Sequence, residues 1–400
     1  MSKVIISFLG TGLLGENRSY RKAQYMFDGD SSIYESSFMV EAIRQKESAD
    51  KIIIIGTKQS MWEELYRVYG EGDDDKYVNL GAKIECGEVS QSILDDLFSG
   101  THVKCLLIDS GVNHDEIIAN LEKVFKYIPQ VITDGDEIIL DITHSFRSIP
   151  VLMYSVLDFI KVSMKVDVRI YYGMLEYAAS NNGIAPAVDL SSYYRLLDWS
   201  KAVDKFIKYG DGDGIAEMVK DQIPQLASKF NRVTDSFRVM QLTGVQGDLK
   251  KIDELVRANE SILELKIFQQ KIFEFVDRFK DVKTLSFFQL EVAKWYFENK
   301  FYALSYLVLV EAIISRCGEL LKKNLDDYES REEVKAGLSG TKMNPMDQVI
   351  YDKFKKAYIR IRDERNVIAH AASFHNADHA QGVIKKVKNT LIDVESLFNS

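Results

Sequence analysis

Cysteine is scarce in this chain, with three in 400 residues. Cys86, Cys105 and Cys317 stand far apart, so no C-x-x-C pair offers zinc or dithiol chemistry, and isolated thiols fit a reducing cytoplasm. Long apolar runs are absent as well. The stretch Lys3 to Leu9 is too short for the apolar core of a secretory signal and runs into a glycine turn. No run approaches the ~20 residues of a membrane span. The expectation is a cytoplasmic protein that does not engage membranes. Basic residues are not in excess: 51 Lys and Arg face 60 Asp and Glu, for a net charge of −9. That argues against a general basic coat for duplex DNA or anionic lipid, and leaves room for a local basic cleft that takes RNA. Low-complexity tracts and clear internal repeats are also missing. What is present is an ordinary globular mixture, 46% apolar and 28% charged, long enough for two domains.

The first half carries short apolar runs bounded by turn residues: Val4 to Leu9, Ile52 to Ile55, Val103 to Ile108, Glu137 to Ile142 and Val166 to Tyr172. Parallel strands covered on both faces have this character. Helical stretches near 33–48, 115–128 and 146–163 alternate with them, which predicts an α/β domain with a doubly wound parallel sheet. Ser180-Asn181-Asn182-Gly183 and Pro186 mark a loop. From Leu190 onward, apolar residues fall at helical spacing near 191–209, 213–243, 246–280, 284–297, 301–323 and 346–372, with few β-branched runs. The second half is therefore all-α. The polar segment Tyr328 to Pro345 holds Gly337, Gly340 and Pro345 and reads as a loop. The expected partition is an α/β domain over 1–185, a helical linker over 186–283 and a helical bundle over 284–400.

Phe8-Leu9-Gly10-Thr11-Gly12-Leu13-Leu14-Gly15 satisfies G-x-G-x-x-G directly after the first strand. A dinucleotide site wants a helix at once and an acid about 20 residues on, closing the second strand. Here Glu16 to Arg21 is polar, and the next clear strand ends Gly56-Thr57-Lys58 without an acid, so nicotinamide and flavin are disfavoured. A tight turn that needs glycine is one reading. The other is a ligand edge, where free amides of Gly10 and Gly12 and the Thr11 hydroxyl sit at the carboxyl end of a parallel strand. Arg18 and Arg21 add charge suited to phosphates.

Asp141-Ile142-Thr143-His144-Ser145-Phe146-Arg147-Ser148 ends a strand and opens a helix. Hydroxyls, unpaired amides and Arg147 together suit an anion. A capped helix start, with Asp141 bonded to the turn, is the simpler alternative, but the polar residues outnumber what a cap requires. Paired in order with the Phe-Leu-Gly-Thr-Gly turn, and followed by Asp189-Leu190-Ser191 and Leu197-Asp198-Trp199, this segment resembles the CARF domain of CRISPR-associated proteins over roughly residues 1–200. The resemblance implies a Rossmann-like fold, a homodimer, and a cyclic oligoadenylate bound across its two-fold axis. Gly10, Thr11, Gly12, Thr143, His144, Ser145 and Arg147 would line the ring. Cyclic tetra-adenylate is favoured over hexa-adenylate as activator, although no residue reports the ring size.

Near the C-terminus, Arg365-Asn366-Val367-Ile368-Ala369-His370 lies on a predicted helix. Cutting RNA without a metal needs a group for the 2′-OH or leaving-group proton and a cation for the phosphate. Histidine suits the first role and arginine the second. Five residues apart on a helix, the two side chains diverge by about 140°, so spacing alone does not pair them. A second copy of the helix across a dimer would bring two sets together. The full Arg-Asn-x-x-Ala-His form resembles the HEPN ribonuclease motif, and the preceding helix Leu304 to Leu321, with Glu311, fits a HEPN bundle. HEPN domains downstream of CARF domains form a known architecture of type III CRISPR ancillary ribonucleases. The resemblance implies metal-independent cleavage of single-stranded RNA, with Arg365 and His370 catalytic and Asn366, one turn before His370, orienting it.

Other features point to packing or solvent. His375 and His379 have metal-ligand spacing, but Asn376 stands where a metalloprotease glutamate would be, so no metal and no cofactor is expected. Asp73-Asp74-Asp75 reads as a solvated loop, Trp62, Tyr66 and Tyr69 as packing residues, and Lys385, Lys386 and Lys388 as a solvated face or an aid to RNA binding. The expected whole is a ring-activated endoribonuclease acting as a homodimer or a higher oligomer of dimers. A sensor whose HEPN bundle only dimerises is the rival.

Overall fold

The computed structural model describes residues 2–12, 22–144, 148–340, 348–369 and 378–399, apart from the side chains of 148–150, 364–369 and 378–379. The five apolar runs of the first half become β1 (Lys3–Leu9), β4 (Lys51–Gly56), β5 (Val103–Leu107), β6 (Glu137–Asp141) and β7 (Asp167–Gly173). They are mutually parallel, in the order β5-β4-β1-β6-β7. Their continuous apolar character follows from burial on both faces. Ile5, Leu9, Ile52, Ile54 and Ile139 point into one core, while Val4, Ile6, Phe8, Ile53, Ile55, Ile138 and Leu140 point into the other.

Helices cover each face. On one side lie α1 (Met39–Glu47), α2 (Trp62–Tyr69), α3 (Asp74–Glu85) and α4 (Gln91–Leu97), which supply Met39, Trp62, Leu65, Leu80 and Leu94. On the other lie α5 (His114–Val131) and α6 (Ser148–Ser163), which supply Val124, Ile128, Met153, Leu157 and Ile160. Trp62 and Tyr66 are fully buried and Tyr69 is buried, as packing residues. Asp73 caps α3 by accepting from the amides of Asp75 and Lys76, so the acidic run is a helix start rather than a free loop.

The sheet is larger than the five runs and is mixed. β8 (Ile184–Asp189) pairs antiparallel with β7, β2 (Ala23–Phe27) runs parallel beside β8, and β3 (Tyr34–Ser36) closes the edge antiparallel to β2. These strands replace two expectations. The helix read near 33–48 starts only at Met39, after β3. The loop read at Pro186 is a strand, because the proline carbonyl still accepts from the Met174 amide at 2.8 Å.

Beyond β8 the described residues are helical: α7 (Ser191–Tyr209), α8 (Asp213–Val219), α9 (Pro224–Arg238), α10 (Val245–Ala258), α11 (Leu263–Phe279), α12 (Leu285–Glu298), α13 (Tyr302–Leu320), α14 (Tyr328–Ser339), α15 (Gln348–Ala369) and α16 (Asp378–Phe398). The stretches read as single helices at 213–243 and 246–280 each break into two, the first where Pro224 starts α9. The polar segment read as a loop holds α14. Asp327 caps it by accepting from the Ser330 amide at 2.8 Å, and Val334 and Leu338 are buried beneath its charged surface. Contacts divide the chain into two compact units, Met1–Arg195 and Leu196–Ser400. The core of the second runs from Trp199 to Phe398 and includes residues on both sides of position 284.

Candidate functional site

The connections of the parallel strands decide where a ligand edge lies. From β1 the sheet grows through β4 to β5 on one side and through β6 to β7 on the other. The carboxyl ends of β1 and β6 therefore flank the switch point, the place where open α/β sheets leave a crevice. The Gly10–Gly12 turn follows β1, and Thr143 and His144 follow β6, so two segments 130 residues apart meet at one edge.

The turn is pinned by the segment that follows β4. The Ser60 hydroxyl donates to the Leu9 carbonyl at 2.6 Å and accepts from the Thr57 amide at 2.9 Å, while the Met61 amide donates to the Gly10 carbonyl at 3.0 Å. Gly12 has φ of 70°, which favours glycine. Thr11 and Gly12 are exposed.

On β6, Asp141 is completely buried and both carboxylate oxygens are engaged. Oδ2 accepts from the Ser7 hydroxyl at 2.6 Å, and Oδ1 accepts from the Thr143 amide at 2.9 Å. The Thr143 hydroxyl in turn accepts from the Gly173 amide at 2.8 Å, leaving its own proton to donate. A Cβ on Gly173 would lie 3.0 Å from the Tyr25 ring and 3.2 Å from Thr143, so a larger residue there would have to push Tyr25 or Thr143 aside by a few tenths of an ångström. Burial raises the Tyr25 phenol, and the Asp141 charge raises it further, so it stays protonated. His144 is the unsatisfied member. Its Nε2 is buried with no hydrogen-bond partner among the described residues. Burial pushes the imidazole down against the opposing pull of Asp141 and Glu176, which favours the neutral form. Ser145 and Arg147, with Arg18 and Arg21, lie outside the described residues.

In the second unit, α15 carries the backbone of Arg365 and Asn366 in its last turns; their side chains, and all of His370 and His375, lie outside the described residues, as does the His379 side chain. By the helical period Arg365 continues the register of Phe354, Tyr358 and Ile361, the buried stripe of α15. Glu311 on α13 forms an ion pair with Arg331 of α14. No group of three or more His, Cys, Asp or Glu suited to a metal occurs among the described residues.

Residues 4–174 match the family described as the CARF domain of CRISPR system endoribonuclease Csx1. Residues 195–285 match the second domain of CRISPR-associated protein MJ1674. That protein, from Methanocaldococcus jannaschii, is 32% identical over 423 residues, an alignment covering 97% of this chain. Over these two stretches the chain is similar to CARF-domain CRISPR-associated proteins. It spans 66% of the length of the curated relative, just under two thirds. Among solved structures, Enterococcus italicus Csm6 bound to cyclic hexa-2′-fluoro-hexa-dAMP aligns with a TM-score of 0.43 and 11% identity, covering 99% of this chain and 93% of that one.

Within the first unit, the structure brings together Gly10, Thr11, Gly12, Thr143 and His144 as strand-end neighbours. Sequence reasoning missed Ser7, Ser60 and Gly173, which hold them. Ser7 had a signal: it is the one polar residue inside the apolar run Val4 to Leu9. Ser60 and Gly173 had none, since their roles depend on which strands are adjacent.

Proposed function

We propose that this protein is a cyclic-oligoadenylate-activated, metal-independent endoribonuclease that cleaves single-stranded RNA as a cytoplasmic homodimer. One observation carries the sensing half of the reading: the Gly10–Gly12 turn and the Thr143–His144 segment share the switch-point edge, where exposed amides, a hydroxyl proton and an unpartnered buried imidazole nitrogen suit the phosphates and bases of a ring. Ser145 and Arg147 would complete the anion site.

The catalytic half rests on the Arg365-Asn366-x-x-Ala-His370 motif. Arg365 would neutralise charge developing on the scissile phosphate, His370 would move the 2′-OH or leaving-group proton, and Asn366 would orient His370. A second copy is needed for a ring on a two-fold axis. Helix α6 begins directly after the ring residues, and its solvent side carries Val151 and Val162, 68% and 83% exposed, with half-exposed Phe159. A second copy seated there would bring two strand-end edges together. Ring binding activates only if it favours one arrangement of the paired helical units.

The test is cleavage of a single-stranded RNA reporter with cyclic tetra-adenylate or hexa-adenylate, each with and without EDTA. Ring-dependent cutting that survives chelation supports the reading. Tight ring binding with no cutting under any condition leaves the non-catalytic sensor.

A further inference from the structure

Between Lys353 and Arg362 the chain carries five cations and no acid: Lys353, Lys355, Lys356, Arg360 and Arg362. In a protein of net charge −9 this is a local exception. The packing of α15 sorts the five. Phe354, Tyr358 and Ile361 face the core. Arg360 leans to one flank, where it pairs with Asp393 of α16 at 2.7 Å. Lys353 and Lys356 fall on that flank by helical period.

Lys355 and Arg362 lie on the opposite flank, two turns and about 10 Å apart along the axis. They border the end of α14. Arg362 Nη1 is 3.5 Å from the Ser339 hydroxyl, and a Cβ on Gly340 would sit 3.7 Å from Lys355 Nζ. Lys355 has no carboxylate partner among the described residues. Among the described carboxylates Arg362 pairs with its chain neighbour Asp363, at 2.9 Å on the surface, and it lies 5.9 Å from the Tyr358 ring centre. Such an exposed pair is weak enough to exchange for a phosphate. Half-buried Ile359 separates the two cations. One turn beyond Arg362, Asn366 falls on the same flank, within about 40° of both by the helical period.

We infer that Lys355 and Arg362 form a track along α15 for the phosphodiester backbone of single-stranded RNA. The inference rests on the ribonuclease reading for its substrate class, and the track itself is argued from charge and geometry. Cations in line along one flank, with apolar surface between them, suit a flexible single strand.

The test uses the full chain and a fluorescent 2′-fluoro RNA, which lacks the hydroxyl needed for cutting. Lys355→Ala/Arg362→Ala should weaken its binding roughly ten-fold at low salt and lower the slope of log affinity against log salt by about 1.4, that is ~0.7 for each of two phosphate contacts. Lys353→Ala/Lys356→Ala, on the other flank, should stay within about two-fold of wild type. The charge-conserving Lys355→Arg/Arg362→Lys pair should restore binding, which separates lost contacts from misfolding. Equal affinity and slope in the first variant and wild type overturn the track, as does a wild type that binds no RNA. If ring-activated cutting persists while binding is indifferent to Lys355 and Arg362, the track fails and the ribonuclease stands. If binding depends on them but no ring elicits cutting, the ribonuclease reading fails and the track stands.

Discussion

Ser7 and Asp141, 134 residues apart in the chain, are joined by a buried 2.6 Å hydrogen bond between neighbouring strands. It fixes the carboxylate that also takes the Thr143 amide, so a residue in the middle of β1 determines the shape of the edge after β6. Ser7→Ala leaves a buried carboxylate oxygen short of a donor. Stability should fall by about 1–3 kcal/mol, and ring affinity should fall with it as Thr143 loosens. Thermal melts beside calorimetric titration with cyclic tetra-adenylate check both. Affinity unchanged in a destabilised protein would detach Ser7 from the site.

Arg147→Ala separates a structural arginine from a ligand-binding one. Both Asp141 oxygens already have donors in Ser7 and Thr143, so Asp141 does not need Arg147 to satisfy it. The expected outcome is a melting temperature close to wild type and ring affinity lower by roughly one to two orders of magnitude, the scale of a lost charge-assisted contact. A clear drop in melting temperature with intact affinity would place Arg147 in the scaffold instead.

The other end of the sheet carries a pH-sensitive lock. Glu47 on α1 accepts from Arg169 of β7 at 2.6 Å, from Lys3 of β1 at 3.0 Å and from the Tyr171 hydroxyl at 3.0 Å. Burial alone would raise its carboxyl, but the hydrogen bonds from Arg169 and Lys3 outweigh that and bring it down from 4.5 to about 2. A carboxylate depressed on folding stabilises fully above its unfolded value. That contribution, of order 1–3 kcal/mol, is lost as pH falls from about 4.5 toward 2. Melting temperatures taken from pH 7 to pH 3 should decline, and Arg169→Met should be less stable at neutral pH with a shallower decline. Parallel curves for the two proteins would show that the lock does not control acid stability.

His370→Ala should abolish RNA cutting and leave ring binding intact, and EDTA should change the wild-type rate little. The motif offers a lone histidine as proton carrier. Near wild-type cutting by the variant removes His370 from the chemistry. Inhibition by EDTA that one particular metal reverses would turn attention to His375 and His379.

Val151→Glu/Val162→Glu places charge on the exposed apolar side of α6. If a second copy covers that side, sedimentation velocity should show dimers converted to monomers, and ring binding should weaken, with an unaltered circular dichroism spectrum. Both side chains are largely exposed in the single chain, so little loss of fold stability is expected. A variant that stays dimeric would move the interface elsewhere.

The two strand-end segments and the arginine–histidine spacing stood out in the sequence because each is local. A glycine turn after an apolar run, a hydroxyl-rich strand end and a fixed arginine–histidine spacing need no partner to be recognised. The central strands were legible for the same kind of reason, since burial on both faces leaves runs such as Ile52 to Ile55 with no polar alternation. β2, β3 and β8 were not, because short strands toward a sheet edge owe their pairing to a neighbour rather than to composition. α14 was hidden for a related reason: its surface is charged, and only Val334 and Leu338 beneath it show what it packs on.

Tertiary structure alone decided which segments became adjacent. Setting β1 beside β6 turned Ser7 into a partner of Asp141 and made the two ends a single edge. Packing α15 between α14 and α16 sent one run of cations to two flanks, with Arg360 beside Asp393 of α16 and Arg362 beside Ser339 of α14. The physical reason is that hydrogen bonds and ion pairs act over a few ångströms, so a contact between residues 134 positions apart exists only once the fold has chosen its neighbours.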